Sequence, residues 1–242
     1  MRLSTETLPR EAHDQLRSEQ GLLVRHDDAG LARQGSGDAS TFYESDEDRA
    51  LSTQLRELLN ALAQGQAIQR TPQRLVITGV HTQSEASFLA SKLALTCART
   101  GYRVLLVDAN FAQPSVHHSF GLSTQLGLSS LLASSNPPHA LPQATAVPNL
   151  AAITIGPDCP NWSSLLNREK LFHRLQPLAA SFDYMIVDCG NMTPTLVGRV
   201  SAGADNVVVA VKEHVASMKE LAGIVDSLRS EGVAEPAILM VE

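Results

Sequence analysis

Two aspartates, Asp108 and Asp188, each end an apolar run that is typical of a buried β-strand. Because the carboxyl ends of parallel strands meet at one edge of a sheet, we expect the two carboxylates to lie together there. Such a pair suits a magnesium–phosphate site, in which one carboxylate positions or deprotonates a nucleophile and the other holds a metal-bound water. The alternative is that each aspartate only caps the turn after its strand.

Two further polar residues can join this pair. Asn110 follows Asp108 by two residues, and Ser87 lies at the end of the polar stretch GVHTQSEAS, which follows the first strand of the sheet. The Ser87 hydroxyl can face a metal ion, or it can cap the N-terminus of the following helix. The candidate cofactor-binding residues are therefore Ser87, Asp108, Asn110 and Asp188.

Alternating strand and helix patterns position these residues. After Pro72 the strand patterns are RLVITGV, YRVLLVDAN, NLAAITIG, FDYMIVDCG, NVVVAVK and AILMV, and the helix patterns between them include SFLASKLALTCARTG, REKLFHRLQPLAASF and ASMKELAGIVDSLRSEG. Near-continuous apolar strands between helices are typical of a parallel sheet covered on both faces. The sequence predicts an α/β fold with a doubly wound, mostly parallel sheet. The segment SSNPPHALPQATAVPN, with its four prolines, is predicted to be a loop.

The N-terminal part of the chain has a different character. Residues 1–45 are polar and lack an apolar period, which predicts a disordered acidic segment or one that folds on a partner. Residues 1–48 hold five Arg and eleven Asp or Glu, which accounts for the whole net charge of −6. We predict one domain over residues 46–242. It begins with an amphipathic helix on Leu51, Leu55, Leu58, Leu59 and Leu62 and that helix stops near Gly65.

Composition excludes several classes of function. The domain itself is electrically neutral, which argues against a nucleic-acid-binding surface. No apolar run approaches the roughly 20 residues of a membrane span, and the N-terminus does not resemble a signal peptide, so we expect a cytoplasmic protein. The three cysteines and eight histidines match no metal-binding pattern, which predicts reduced thiols in or near the core and no metal site of that kind.

The segment after the second strand resembles a known family. The run VLLVDANFAQPSVHHSFGLSTQLGLSSLL is similar to the Walker A′ region of bacterial tyrosine kinases, the cytoplasmic P-loop kinases of capsule and exopolysaccharide export. Nearly every position of the family pattern D-x-D, P-S-L-H, F-G and G-L-x-x-L-L is met, by Asp108, Pro114, Ser115, His117, Phe120, Gly121, Gly127, Leu128, Leu131 and Leu132. Downstream, ITIGPDCPNWSSLLNREKLFHRL and FDYMIVDCG resemble later family segments. The resemblance covers about Leu51 to the C-terminus and implies the P-loop NTPase fold of the deviant Walker type, which ParA and MinD proteins share.

The phosphate-binding loop departs from this family pattern. Where the family reads P-G-E-G-K-S-T, residues 82–88 read TQSEASF. Both loop glycines are lost, so we expect a backbone that does not easily adopt the positive φ angles that direct N–H groups at phosphates. The lysine position is Ala86, which removes a charge-assisted hydrogen bond of about 1.5–3 kcal/mol. Glu85 beside it adds negative charge, and only Ser87 keeps the family residue type.

Other parts of the family pattern are also changed. Asn110 stands at the second carboxylate of D-x-D, and the D-T-P-P continuation of the Walker B strand reads DCGN over residues 188–191. The E-x-x-R-x-x-R assembly motif keeps only Arg56. The tyrosine cluster at the family's C-terminus has no counterpart after Tyr184. Together these losses are what we expect of a pseudo-enzyme that retains its fold.

The resemblance and the losses together imply a pseudokinase-like interaction or regulatory protein of exopolysaccharide or capsule biosynthesis, with no catalytic residues and no required cofactor. It would dock at the cytoplasmic face of the inner membrane on a membrane-bound polysaccharide co-polymerase or export protein, and a homo-oligomer is compatible with the resemblance. One alternative is a kinase or ATPase that holds ATP and Mg²⁺ at the four candidate residues and replaces the lysine by Arg74, Lys92 or Lys212. The other is a ParA-like localisation factor.

Overall fold

A computed structural model describes residues 23–26, 52–60, 72–81, 85–134, 138–168, 170–212, 217–233 and 236–241. Within these residues the strands are β1 (Leu23–His26), β2 (Gln73–Gly79), β3 (Val104–Asp108), β4 (Gln143–Ala144), β5 (Leu150–Ile153), β6 (Tyr184–Asp188), β7 (Asn206–Lys212) and β8 (Ala237–Val241). They form one sheet in the order β1-β8-β7-β2-β6-β3-β5-β4. Every neighbouring pair is parallel except β4 with β5.

Helices cover both faces of this sheet. They are α1 (residues 52–60), α2 (Ala86–Arg99), α3 (Val116–Phe120), α4 (Leu128–Ala133), α5 (Trp162–Arg168), α6 (Leu171–Leu175), α7 (Pro194–Ser201) and α8 (Met218–Ser230), with 3₁₀ turns at Pro138–Ala140 and Gln176–Ser181. Alternate residues of β3 serve the two faces: Leu106 packs in the cluster with α1 and α2, whereas Leu105 packs in the cluster with α7 and α8. The predicted doubly wound, mostly parallel α/β fold is confirmed.

The described part of the N-terminal region agrees with the predicted amphipathic helix. Residues 52–60 are helical, and Leu55, Leu58 and Leu59 are buried in the core beside α2. Leu51, Leu62 and Gly65 lie outside the described residues. The predicted disorder of residues 1–45 also falls almost wholly outside them, and the four residues described there form β1, which pairs with β8. That prediction stays a prediction.

Two segments are more finely divided than the sequence predicted. The proline-rich segment expected to be a plain loop contains a 3₁₀ turn and the short strand β4, which the Gln143 side chain anchors by bonding both the N–H and the carbonyl of Ser123. The helix predicted over REKLFHRLQPLAASF is α6 followed by a 3₁₀ turn. Pro177 lacks the N–H that would continue the α-helix, so the chain tightens there. No helix among the described residues is long and apolar enough to cross a membrane.

Candidate functional site

The site is centred on two buried carboxylates. Strands β3 and β6 are parallel neighbours, and their register places Asp108 directly opposite Asp188. Neither side chain is exposed to solvent. The sequence prediction that these strand ends come together is therefore confirmed by the register.

Asp108 organises the turn that leaves β3. Its Oδ1 accepts a hydrogen bond from the backbone N–H of Asn110 at 3.1 Å, and its Oδ2 accepts one from Val116, the first residue of α3, also at 3.1 Å. Each carboxylate oxygen is thus bonded to the chain that follows. Asp108 therefore caps the following turn, which is the alternative role that the sequence suggested for it.

Asp188 uses only one of its oxygens in this way. Its Oδ1 accepts a hydrogen bond from the N–H of Gly190 at 2.8 Å, whereas its buried Oδ2 has no hydrogen bond of normal geometry among the described residues, although the Ser87 hydroxyl lies close enough to lower the pKa of Asp188. A buried carboxylate oxygen without a donor is costly unless a proton, a cation or a further donor satisfies it. Asp188 Oδ2 is therefore a buried oxygen of this site that can still accept a proton, a hydrogen bond or a cation.

Burial dominates the protonation of the pair. It raises the pKa of both carboxyl groups, because a charge is unfavourable away from water. The charge of Asp188 raises the pKa of Asp108 further, and the backbone N–H groups of Val116 and Asn110 partly oppose the increase. The nearby Ser87 hydroxyl and the Gly190 N–H lower the pKa of Asp188 in the same way. The pair consequently holds protons to higher pH than free aspartic acid does.

Asn110 links this carboxylate pair to the start of α2. Its Nδ2 donates a hydrogen bond to Ser87 Oγ at 3.1 Å, and its Oδ1 accepts one from the N–H of Gln113 at 3.1 Å. Ser87 is the second residue of α2, and the residue that caps the helix is Glu85. The suggestion that Ser87 is a helix N-cap is therefore wrong, and its hydroxyl faces the site.

Gly190 closes the site from the loop after β6. Its φ of 53° lies in the left-handed region, and a Cβ built there would lie 2.3 Å from Asn110 Cγ. Its carbonyl accepts hydrogen bonds from the N–H of Gly79 at 2.7 Å and from Thr78 Oγ1 at 3.2 Å. The sequence marked Gly190 only as a departure from the family pattern, whereas the structure shows why a glycine is needed.

The N-terminal end of α2 keeps one feature of a phosphate-binding loop. Glu85 has φ 57° and ψ 23°, a left-handed conformation that favours glycine, and it stands at the second glycine position of the family loop. The sequence predicted that the backbone would not easily adopt a positive φ without this glycine, and Glu85 nevertheless has one. Residues 82–84, which include the other glycine position, lie outside the described residues.

The basic residues considered as substitutes for the lysine lie in different places. Arg74 is near the start of β2, at the opposite edge of the sheet. Its guanidinium donates hydrogen bonds to Gln176 Oε1 and to the Gly203 carbonyl. Arg74 is therefore excluded as a substitute for the lysine, because it lies near the first residue of β2 and the site lies beyond the last. Lys92 is largely buried on α2, with its Nζ 5.4 Å from the centre of the Phe88 ring. Lys212 ends β7 at the same edge of the sheet as the two aspartates.

Several known proteins resemble this chain in sequence or in fold. No family model matches the chain. The chain is 29% identical over 154 residues to the putative tyrosine-protein kinase CapB of Staphylococcus aureus, covering 62% of this chain and 68% of CapB. It is 26% identical over 181 residues to tyrosine-protein kinase YwqD of Bacillus subtilis, covering 72% of this chain and 76% of YwqD. Over most of its length the chain is similar to bacterial tyrosine kinases.

Other relatives in this bacterial tyrosine kinase family are much longer. Tyrosine-protein kinase etk of Escherichia coli is 31% identical over 156 residues, but the match spans only 21% of etk. The solved kinase domain of E. coli ETK aligns over 98% of this chain and 96% of its own, with a TM-score of 0.78 and 20% identity. The chimerical protein CapA2B2 aligns over 97% and 98%, with a TM-score of 0.77 and 22% identity. The structural matches establish the fold.

A more distant member of the same fold contains a nucleotide. The structure of cobyrinic acid a,c-diamide synthase from Mycobacterium smegmatis with bound ADP and magnesium has a TM-score of 0.57 and 19% identity. It covers 69% of this chain and 71% of its own. That protein shares the P-loop NTPase fold with this chain.

The described residues at the corresponding place in this chain do not fit ATP and Mg²⁺. The sequence between Gly79 and Phe88 contains no lysine or arginine that could neutralise phosphate charge. The Ser87 hydroxyl is bonded to Asn110, and both oxygens of Asp108 are bonded to backbone N–H groups. Among the four candidate residues, only Asp188 keeps an unsatisfied oxygen.

A stacked aromatic pair beside the site was not found from the sequence. The rings of Phe111 and Trp162 lie 4.9 Å apart between centres and are parallel within 2°. Phe111 follows Asn110 directly, and Trp162 begins α5. Only the aromatic residue next to Asn110 hinted at it, because the two partners are far apart in the chain. As the single tryptophan, Trp162 is a fluorescent reporter of this edge of the sheet.

Proposed function

We propose that this chain is a pseudokinase-like member of its family, which acts through its surface as an interaction or regulatory protein in exopolysaccharide or capsule biosynthesis. The observation that carries the proposal is the start of α2. There Ala86 occupies the lysine position, and the next residue, Ser87, has its hydroxyl bonded to Asn110. The Ser87 hydroxyl and the Asn110 amide are thus hydrogen-bonded to each other, and position 86 offers no charged group to a nucleotide phosphate.

The alanine at position 86 removes positive charge from the start of α2. A phosphate group bound at the start of α2 would find no lysine there, because position 86 is an alanine that is buried in the core, and it would lie near the acidic residue Glu85. The charge-assisted hydrogen bond that a lysine supplies is worth about 1.5–3 kcal/mol, or roughly a 10- to 100-fold change in affinity. The backbone N–H groups of the helix N-terminus alone do not replace it, since Glu85 opposes their positive field.

Retention of the fold supports a role for the surface. Apolar clusters cover both faces of the sheet, although Ala86 stands where the family has its lysine. We propose that the protein docks on a membrane-bound polysaccharide co-polymerase or export protein, at the cytoplasmic face of the inner membrane. Docking in that position would place a regulator beside the export machinery without ATP chemistry of its own.

Calorimetric titration with Mg·ATP tests the loss of nucleotide binding. We expect no binding at micromolar affinity for the wild-type chain, with the kinase domain of E. coli ETK measured in parallel as a positive control. Micromolar binding that Asp108→Ala abolishes would overturn the proposal.

A genetic experiment tests the role in polysaccharide production. Removal of the gene should change the amount or chain length of the polysaccharide. Complementation with Asp108→Asn should restore the wild-type amount as fully as the unaltered gene, because the proposal gives this carboxylate no chemical task. Failure of that variant, at normal protein level, would indicate that the site performs chemistry.

A second candidate function is residual binding of ATP and Mg²⁺. It is favoured by the buried Asp188 Oδ2, which lacks a hydrogen-bond partner among the described residues, and by Lys212 at the same edge of the sheet. The same titration separates the two functions. Under this second reading, Lys212→Met should weaken the binding about tenfold or more.

A further inference from the structure

We infer that the Asn110 side chain takes the place of a metal ion at this site, holding the strand ends together and excluding a cation. The inference rests on the proposed function, because a chain that does not bind Mg·ATP must stabilise these strand ends with its own groups. It concerns the described residues around the ends of β2, β3 and β6 and the start of α2.

The hydrogen bonds of the Asn110 amide determine its orientation. Its Oδ1 accepts the backbone N–H of Gln113 at 3.1 Å, so the oxygen must face Gln113. The Nδ2 group therefore faces Ser87 and donates to Oγ at 3.1 Å. The neighbouring hydrogen bond determines this assignment of O and N, which is the kind of constraint that resolves an amide orientation.

The hydrogen bond from Asn110 limits what the Ser87 hydroxyl can still bind. A serine oxygen that ligates a cation must direct a lone pair at it. At this site the Asn110 N–H donates to one lone pair of Oγ, and a donor carries partial positive charge. The amide of Asn110 thus satisfies Ser87 and disfavours a cation at the same point.

Asn110 also packs closely against Gly190. A Cβ at position 190 would lie 2.3 Å from Asn110 Cγ, 2.4 Å from Nδ2 and 2.6 Å from Oδ1. The amide therefore lies against the bare Cα of the glycine. The N–H of Gly190 in turn donates to Asp188 Oδ1, and its carbonyl accepts from Gly79. Asn110 thereby connects the loop after β6 with the start of α2.

A carboxylate at position 110 should reverse this arrangement. The Asn110→Asp side chain would lie near Asp108 and Asp188 and would have no N–H to donate to Ser87. Three acidic groups in a buried site repel one another unless a cation neutralises them. We therefore expect the substitution to convert a site closed by an amide into one that requires a divalent cation.

Thermal unfolding of the full chain, with EDTA or with excess Mg²⁺ or Mn²⁺ chloride, tests this inference. We expect Asn110→Asp to lose several degrees in Tm in EDTA and to regain most of them with either cation. The wild type and the matched control Asn110→Ala should not respond. An Asn110→Asp variant whose Tm is unaffected by the cations, or a wild type that responds as strongly, would overturn the inference.

A double-mutant cycle keeps the inference testable if Asn110→Asp does not fold. Ser87→Ala, Asn110→Ala and the double variant should give unfolding constants that depart from independence by about fivefold or more. Independent effects would overturn the inference. The Mg·ATP titration of the wild type decides the proposed function separately. A wild type that fails to bind Mg·ATP, combined with independent effects in the cycle, therefore refutes the role of Asn110 alone.

Discussion

Asp108 and Asp188 lie opposite each other where β3 and β6 end, and both carboxyl groups are fully buried. Burial raises the pKa of each above its value in an unfolded chain, and for Asp108 the neighbouring carboxylate adds to the effect. Between the unfolded and folded pKa values the folded chain therefore binds more protons than the unfolded chain. The free energy of unfolding falls as pH rises through this interval, because the charged pair is unfavourable in the fold.

Asp188→Asn should remove much of this pH dependence. We expect its Tm, relative to wild type, to be higher at about pH 8 than at about pH 5. One pKa unit corresponds to about 1.4 kcal/mol, and about 2–4 °C per kcal/mol is typical of a chain of this size. Thermal unfolding across this pH range measures the difference, and a pH-independent difference would contradict the explanation.

Asp183→Asn is a control for which we expect the opposite pH dependence of Tm. Asp183 is close to the surface, and its hydrogen bonds with Arg103 lower its pKa. Its stabilising contribution is therefore present at neutral pH and is lost as pH falls through the folded pKa. We expect Asp183→Asn to lower Tm at neutral pH and to match wild type in acid.

Glu85→Gly should stabilise the chain. Glu85 has a left-handed backbone conformation, which costs a residue with a Cβ of order 1 kcal/mol and costs glycine little. We expect Tm to rise by about 2–4 °C. Glu85→Ala is the matched control, since it removes the charge and keeps the Cβ. Equal stabilisation by alanine would assign the effect to the side chain instead of the backbone.

Restoring three family residues together should create nucleotide affinity. We expect the variant Glu85→Gly, Ala86→Lys, Asn110→Asp to bind Mg·ATP at least about tenfold more tightly than wild type, because it regains a glycine, a lysine and a carboxylate. The fluorescence of Trp162, stacked on Phe111 beside position 110, reports the titration. The control carries methionine at position 86, which matches the lysine in length without its charge. Equal affinity of the two variants would refute the role assigned to the charge.

Two helical glycines should respond in opposite ways to alanine. In α7, a Cβ on Gly198 would lie 2.8 Å from Ser227 Oγ and 2.9 Å from the Ser227 carbonyl oxygen, so Gly198→Ala should destabilise the fold by about 1–3 kcal/mol. In α8, a Cβ on Gly223 would meet only Pro194 Cγ at 4.0 Å. Gly223→Ala should therefore stabilise the helix by about 0.5–1 kcal/mol. Denaturant unfolding of both variants measures these effects, and destabilisation by both would contradict the packing argument.

The fold was predictable from the sequence because local patterns carry most of its information. Apolar runs such as VLLVD and YMIVD alternate with amphipathic helices, and only a parallel sheet covered on both faces buries them all. The meeting of Asp108 and Asp188 followed from the same reasoning, since parallel strands end at one edge. The family resemblance then located the altered phosphate loop and the position of the missing lysine.

Contacts between distant residues depend on the tertiary structure and were not predictable. Sequence reasoning offered Ser87 as a metal-facing hydroxyl or a helix cap and did not predict its hydrogen bond with Asn110, 23 positions away. It predicted that a positive φ would be difficult without the family glycine at position 85, whereas Glu85 adopts a positive φ in the fold.

The sequence alone determined which residues are present at the strand ends: two aspartates, an asparagine, a serine, and an alanine in place of lysine. Only the tertiary structure decided which of these groups bond one another. The direction of the Asn110 amide depends on Gln113, and the space that it fills depends on Gly190. Hydrogen bonding and close packing act over a few ångströms between segments far apart in the chain, so no local pattern encodes them.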